Sequence, residues 1–141
     1  MNPHPYFVKL ENHLNHLISL ASITPNDAGC QDYIQSFLED LGFKCQRLPK
    51  NNTSNLYAEI GTEGPLLVFA GHTDVVEPGP NELWQSPPFQ LTEKEGHWYG
   101  RGIADMKACI AAMLVAVEHS LPLKSRFGIL LTSAEEGSEY H

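Results

Sequence analysis

Two short apolar runs constrain the fold of this chain most: residues 66–70 (LLVFA) and 127–132 (FGILLT). Neither shows the polar–apolar alternation of a half-buried strand, so each is expected to be a strand covered on both faces. Leu56, Ala58 and Ile60 do alternate with polar neighbours, as in a strand with one wet face. Around these strands the period lengthens. Phe7, Leu10, Leu14, Leu17, Ile18 and Ala21 recur at spacings of three and four, which predicts a helix over 7–21. Asn26 or Asp27 suits the cap of a second helix over 28–41, with Tyr33, Ile34, Phe37, Leu38 and Leu41 on its buried stripe. Gly42 stands where a left-handed helix end is wanted. A third helix, 106–120, is hydrophobic nearly all round and is expected inside the core. Helices alternating with two-faced strands predict an α/β fold, a layered sheet flanked by helices. Between 73 and 96 runs a long polar loop with four prolines, of the kind that usually carries function, and Trp98-Tyr99 reads as a short strand.

A length of 141 residues suits one domain, and 42% hydrophobic against 18% charged residues excludes disorder as the default state. The formal charge is −8 with no basic run, so nucleic acid and anionic membrane surfaces are excluded as partners. Residues 1–6 (MNPHPY) lack the basic and apolar segments of a signal peptide. The longest strongly apolar run, ACIAAMLVAV, is far short of the ~20 residues that span a bilayer. Cys30, Cys45 and Cys109 are odd in number, widely spaced and without a C-x-x-C pair. They read as reduced thiols of a cytoplasmic protein, and mid-helix Cys109 as a packing residue.

Three stretches carry metal-type ligands where a core element meets a loop. In His72-Thr73-Asp74, extended backbone puts both side chains on one side, so Asp74 can accept a hydrogen bond from the imidazole nitrogen that a metal leaves free. The same residues fit a solvated turn. Asp105, in GRGIADMK (100–107), is either a helix cap or a ligand on a rigid element. A dinucleotide reading of these glycines fails, because the third glycine position holds Asp105, whose charge repels phosphate. Glu135 and Glu136 follow the strand 127–132; adjacent carboxylates in extended chain point apart, so one can take metal while the other faces water, or both can be solvated. Ser133 lies in no G-x-S-x-G turn and has no case as a nucleophile. Each signal alone is weak. Their order, about thirty residues apart at the ends of core elements, is specific.

The segments FAGHTDVVEPG (69–79), WYGRGIADMKA (98–108) and LLTSAEEG (130–137) resemble the signatures of the dinuclear-zinc aminoacylase/carboxypeptidase family. TPNDAGCQ (24–31) and LWQSPPF (83–89) narrow the resemblance to the bacterial desuccinylase branch. It implies hydrolysis of N-succinyl-LL-2,6-diaminopimelate to succinate and LL-2,6-diaminopimelate, a step toward lysine and cell-wall precursors. Alternatives are another deacylase of the family, such as one acting on acetylornithine, a dipeptidase, or a truncated binding module. The resemblance makes His72 a ligand of one zinc, Asp105 the bridge between two, Glu136 a ligand of the second, Glu135 the general base and Asp74 the orienter of His72. Co2+ is a possible substitute for Zn2+. It also implies a cis peptide between Asp105 and Met106. Glu77 stands where the family usually has proline, Ala108 where it has glycine and Ala134 where Asp is common. The family's remaining zinc ligands, its substrate-recognition residues and its dimerisation domain lie downstream. Residues 1–141 are therefore expected to be the N-terminal portion of the catalytic domain of a homodimeric enzyme, binding zinc weakly and inactive alone. His119 and the trailing His141 are poor substitutes for the missing ligand.

Overall fold

The structure is a computed structural model that describes residues 4–137; His141 lies outside the described residues. Helix α1 (Pro5–Ser19) starts at a proline, whose fixed φ and missing N–H suit the first helical turn, and His4 Nδ1 caps it by accepting from the Tyr6 N–H at 3.3 Å. Helix α2 (Cys30–Asp40) begins later than its apolar pattern, because Ala28 (φ 51°) and Gly29 (φ 88°) are left-handed and no helix can pass through them. The N-cap position is therefore Gly29, which has no side chain to cap with, and neither Asn26 nor Asp27 occupies it; Asp27 Oδ2 instead accepts the Gln31 N–H from outside the helix at 2.8 Å. At the far end Gly42 takes φ 92°, and the Phe43 N–H closes back on the Leu38 carbonyl at 3.0 Å.

Strands β1 (Lys44–Arg47), β2 (Asn55–Ile60), β3 (Leu66–His72) and β6 (Arg126–Thr132) form a sheet in the order β1-β2-β6-β3. All neighbours are antiparallel except β3 and β6, which run parallel from Leu66 opposite Arg126 to His72 opposite Thr132. The mixed α/β layering expected from the sequence is thus present. One expectation about it needs correcting. Phe69, Ile129 and Leu131 point into the core with Leu14, Leu17, Ile34, Leu38 and Leu114, but Leu66, Val68 and Leu130 on the other side are 39%, 38% and 40% exposed. Among the described residues the helices cover one face only, and β3 is an edge strand; continuous apolarity does not distinguish two covered faces from one covered and one bare.

A second small sheet pairs β4 (Thr92–Lys94) with β5 (His97–Tyr99) inside the loop region. Glu95 (φ 55°) and Gly96 (φ 77°) supply the two positive φ values of a tight hairpin turn. Helix α3 (Ala108–Ser120) starts two residues after the pattern predicts, because the turn Ile103–Lys107 leaves helical geometry at Asp105 and Met106, whose peptide bond is cis. It also shows a wet stripe. Cys109, Ala112 and Ala116 face out while Ile110, Ala111, Leu114 and Val117 face in, so Cys109 is exposed and does not pack. Small residues on the outer side made the helix look apolar all round.

Candidate metal centre

Strand β3 ends at His72 and β6 ends opposite it at Thr132, so both chains leave the sheet at the same rim. His72 is 5% exposed. Its Nδ1 lies 3.0 Å from the Asp74 main-chain carbonyl oxygen and 3.5 Å from the nearer Asp74 carboxylate oxygen. The bond that orients the ring therefore goes to the carbonyl, where the sequence suggested the carboxylate. The reason is visible in the Asp74 carboxylate itself. Fully buried, it accepts the Glu135 N–H at 3.2 Å and the Glu136 N–H at 3.0 Å, tying the segment after β6 to the segment after β3.

The other ring nitrogen, Nε2, faces Asp105 Oδ1 at 3.0 Å and Glu135 Oε2 at 3.9 Å. Asp105 reaches it from the irregular turn before α3, with its side chain 74% exposed. Glu136 completes a cluster in which one ligand atom from each of His72, Asp105 and Glu136 lies within 4.8 Å of the others. Burial alone would disfavour the imidazolium, but the hydrogen bond to Asp105, the Asp74 carbonyl and the charges of Asp74 and Glu135 outweigh it and raise the His72 pKa. Burial and then the neighbouring charge of Asp105, with smaller help from Glu135 and Asp74, push the Glu136 carboxyl up against the opposing pull of His72. Both shifts express one fact: too many acceptors converge here for the protons available. With Nδ1 donating to a carbonyl, Nε2 meets a carboxylate oxygen, and only a second proton or a cation reconciles the two. An imidazole and two carboxylates are donors that suit zinc and similar divalent ions. The residues fit a metal.

The rim is pinned from below by polar groups. Ser22 Oγ donates to the Thr73 carbonyl at 2.7 Å, Thr73 Oγ1 donates to Asp27 Oδ1, and the Val75 N–H bonds the Ser22 carbonyl at 2.8 Å. Lys107, fully buried, extends its Nζ to the Leu17 and Leu20 carbonyls at 2.7 and 2.8 Å. Burial lowers the Lys107 pKa against the opposing charges of Cys30, Asp27 and Asp74. Ser133 donates to the Pro25 carbonyl and accepts the Ser54 N–H, a structural role. Sequence reading passed over Ser22, Thr73, Met106 and Lys107. Only Lys107, a charge at the mouth of an apolar run, offered a signal. Beside Glu136 opens a cleft of about 480 Å³, lined among others by Thr24, Asn51, Asn52, Val76 and Glu77.

Comparison with known proteins gives a consistent picture. The signature of the peptidase family M20/M25/M40 matches residues 68–140. A succinyl-diaminopimelate desuccinylase of Janthinobacterium sp. (strain Marseille) is 54% identical over 125 residues, covering 86% of this chain and 33% of the relative. One of Legionella pneumophila (strain Lens) is 52% identical over 134 residues, covering 91% and 35%. The chain thus spans about a third of the length of the curated relatives it matches. Among solved structures, human carnosine dipeptidase 1 superposes with a TM-score of 0.82 at 20% identity, over 96% of this chain and 34% of that one. An M20 family metallo-carboxypeptidase of Sulfolobus solfataricus gives 0.78 at 26% identity, over 87% and 30%.

Proposed function

Since the chain belongs to the peptidase family M20/M25/M40, we propose that it is the metal-binding N-terminal portion of the catalytic domain of a succinyl-diaminopimelate desuccinylase. The reaction is hydrolysis of the amide of N-succinyl-LL-2,6-diaminopimelate to succinate and LL-2,6-diaminopimelate. One observation carries the chemistry: His72, Asp105 and Glu136, far apart in sequence, offer ligand atoms within 4.8 Å of one another. The substrate class, a small acylated amino acid, rests on relatives that share about half of their residues with this chain and bear the desuccinylase name. Those names do not favour an acetylornithine deacylase, a dipeptidase or a metal-free binding module.

In this reading His72 would hold one Zn2+, Glu136 a second, and Asp105 would serve both, with Co2+ able to replace zinc. Bound there, the ions would supply Lewis acidity toward the amide carbonyl and the attacking water. Glu135 takes the proton of the attacking water and returns it to the departing amine nitrogen. Its position beside His72 Nε2, at 3.9 Å and half open to solvent, supports that assignment. Asp74 holds the His72 ring by its carbonyl and the backbone of both glutamates by its carboxylate. A catalytic zinc normally takes three protein ligands. Three donors shared between two ions fall short of that, so further ligands belong to sequence outside these residues; the substrate contacts and the surface of the expected homodimer are assigned there too. Three dispersed free cysteines support a cytoplasmic setting.

The test is a chimera in which this chain replaces the matching third of the Legionella pneumophila relative. Succinate release from N-succinyl-LL-2,6-diaminopimelate is expected from the chimera, with none from its Glu135→Gln variant or from the chain alone. A folded chimera that leaves this substrate intact would refute the proposal.

A further inference from the structure

Resting on the metal reading above, we propose that Met106 is a positioning residue for the centre. Its thioether accepts the His72 backbone N–H and so sets the spacing between the His72 imidazole and the Asp105 carboxylate. Three observations converge on this. The His72 N–H points at Met106 Sδ at 3.3 Å. Because β3 is an edge strand and the Thr73 N–H turns inward to the Thr132 carbonyl, the neighbouring His72 N–H turns to the open edge, where no strand of the described residues meets it. The sulfur takes that place. Second, the thioether lies directly over Gly71, where a Cβ would stand 2.9 Å from Met106 Cε and 3.1 Å from Sδ. Position 71 has no side chain, and the sulfur fills the vacated space.

Third, Met106 follows Asp105 in the chain, while Gly71 precedes His72. The same two dipeptides therefore meet twice, once through sulfur and backbone and once through Asp105 Oδ1 and His72 Nε2 at 3.0 Å. Among the described residues the Asp105 carboxylate makes its one hydrogen bond to His72, and it is largely exposed. Nothing else on the side chain holds it over the rim. The backbone must do so, and Met106 is the anchor of that backbone on β3. A thioether is a weak acceptor, but here it serves a donor with no other partner among the described residues, at the base of a ligand.

Met106→Leu keeps the bulk and removes the acceptor. In the purified chain, titrated with Co2+ alone, this variant is expected to bind about tenfold more weakly than wild type, with a changed visible spectrum. In metal-free wild type, amide exchange at His72 is expected to be slower than at Val68 and Ala70, whose N–H groups face the same edge. Unchanged Co2+ affinity and spectrum in a folded Met106→Leu would overturn the proposal. So would exchange at His72 as fast as at Val68 and Ala70, a comparison that decides the matter even if the variant does not fold. Wild-type chain that binds no Co2+ would overturn the metal reading and this proposal together, whereas binding indifferent to Met106→Leu overturns the positioning role alone.

Discussion

Asp74→Asn separates two jobs that one residue performs. The wild-type carboxylate is fully buried and accepts two backbone N–H groups, from Glu135 at 3.2 Å and Glu136 at 3.0 Å. The substituted amide keeps one oxygen acceptor and turns an NH2 toward the other N–H, donor against donor. A hydrogen bond to a charged acceptor contributes about 1.5–3 kcal/mol, and a buried donor left unpaired costs about 1–3 kcal/mol. Part of this is returned, because the variant no longer buries a charge. A net loss of about 3 kcal/mol is expected, or roughly 10 °C in Tm for a domain of this size. Urea and thermal unfolding of both chains measure it. The His72 ring should be untouched, since Nδ1 donates to the Asp74 carbonyl and not to the carboxylate. A downfield imidazole N–H resonance is therefore expected to persist in the folded variant. A Tm within a degree or two of wild type would refute the energetics. Loss of that resonance in a folded variant would refute the assignment of the carbonyl as the orienting group.

Other perturbations test other parts of the account. Lys107→Ala removes the ammonium that bridges the Leu17 and Leu20 carbonyls, which then keep only the Leu20 and Ser22 N–H groups, and leaves a cavity, so unfolding by urea should show a loss of about 2–4 kcal/mol. Gly102→Ala places a Cβ 2.3 Å from Val75 Cγ1 at a φ of 82°, and its melting curve should shift down by at least as much as for Asp74→Asn. Burial holds the His13 pKa below its ordinary value, against the pull of Glu118. The unfolded chain therefore takes up that proton first as pH falls below about 6.5, and stability drops from there down to the folded pKa. His13→Leu should flatten this acid limb in Tm measured against pH; an unchanged acid limb would refute the assignment.

Much of this was legible in the sequence. The helices α1 and α2 and the strands β2 and β6 follow from period, caps and the ends of apolar runs, and the approach of residues 72, 105 and 136 from the family resemblance of the segments that carry them. What was not legible has physical reasons. Left-handed Ala28 delays α2, and nothing in its side chain announces a positive φ. The bare face of β3 reads the same as a covered one, because hydrophobicity records what a strand can bury and not what lies on it. Alanines on the outside of α3 concealed its orientation and led Cys109 to be placed inside. At the rim, residue types pointed to the Asp74 side chain, while the backbone carbonyl, which every residue possesses, holds His72. Contacts through main-chain atoms and sulfur leave no pattern to read, and so Met106 and Thr73 were passed over.

The central claim is that His72, Asp105 and Glu136 together hold a divalent metal. Co2+ titration of the chain, followed by visible absorption and X-ray absorption, tests it most directly. Bound Co2+ is expected with imidazole nitrogen and carboxylate oxygen donors, and at least about tenfold weaker binding in each of His72→Ala, Asp105→Ala and Glu136→Ala, with folds intact. Binding that is absent from folded wild type, or that survives all three substitutions unchanged, would contradict it.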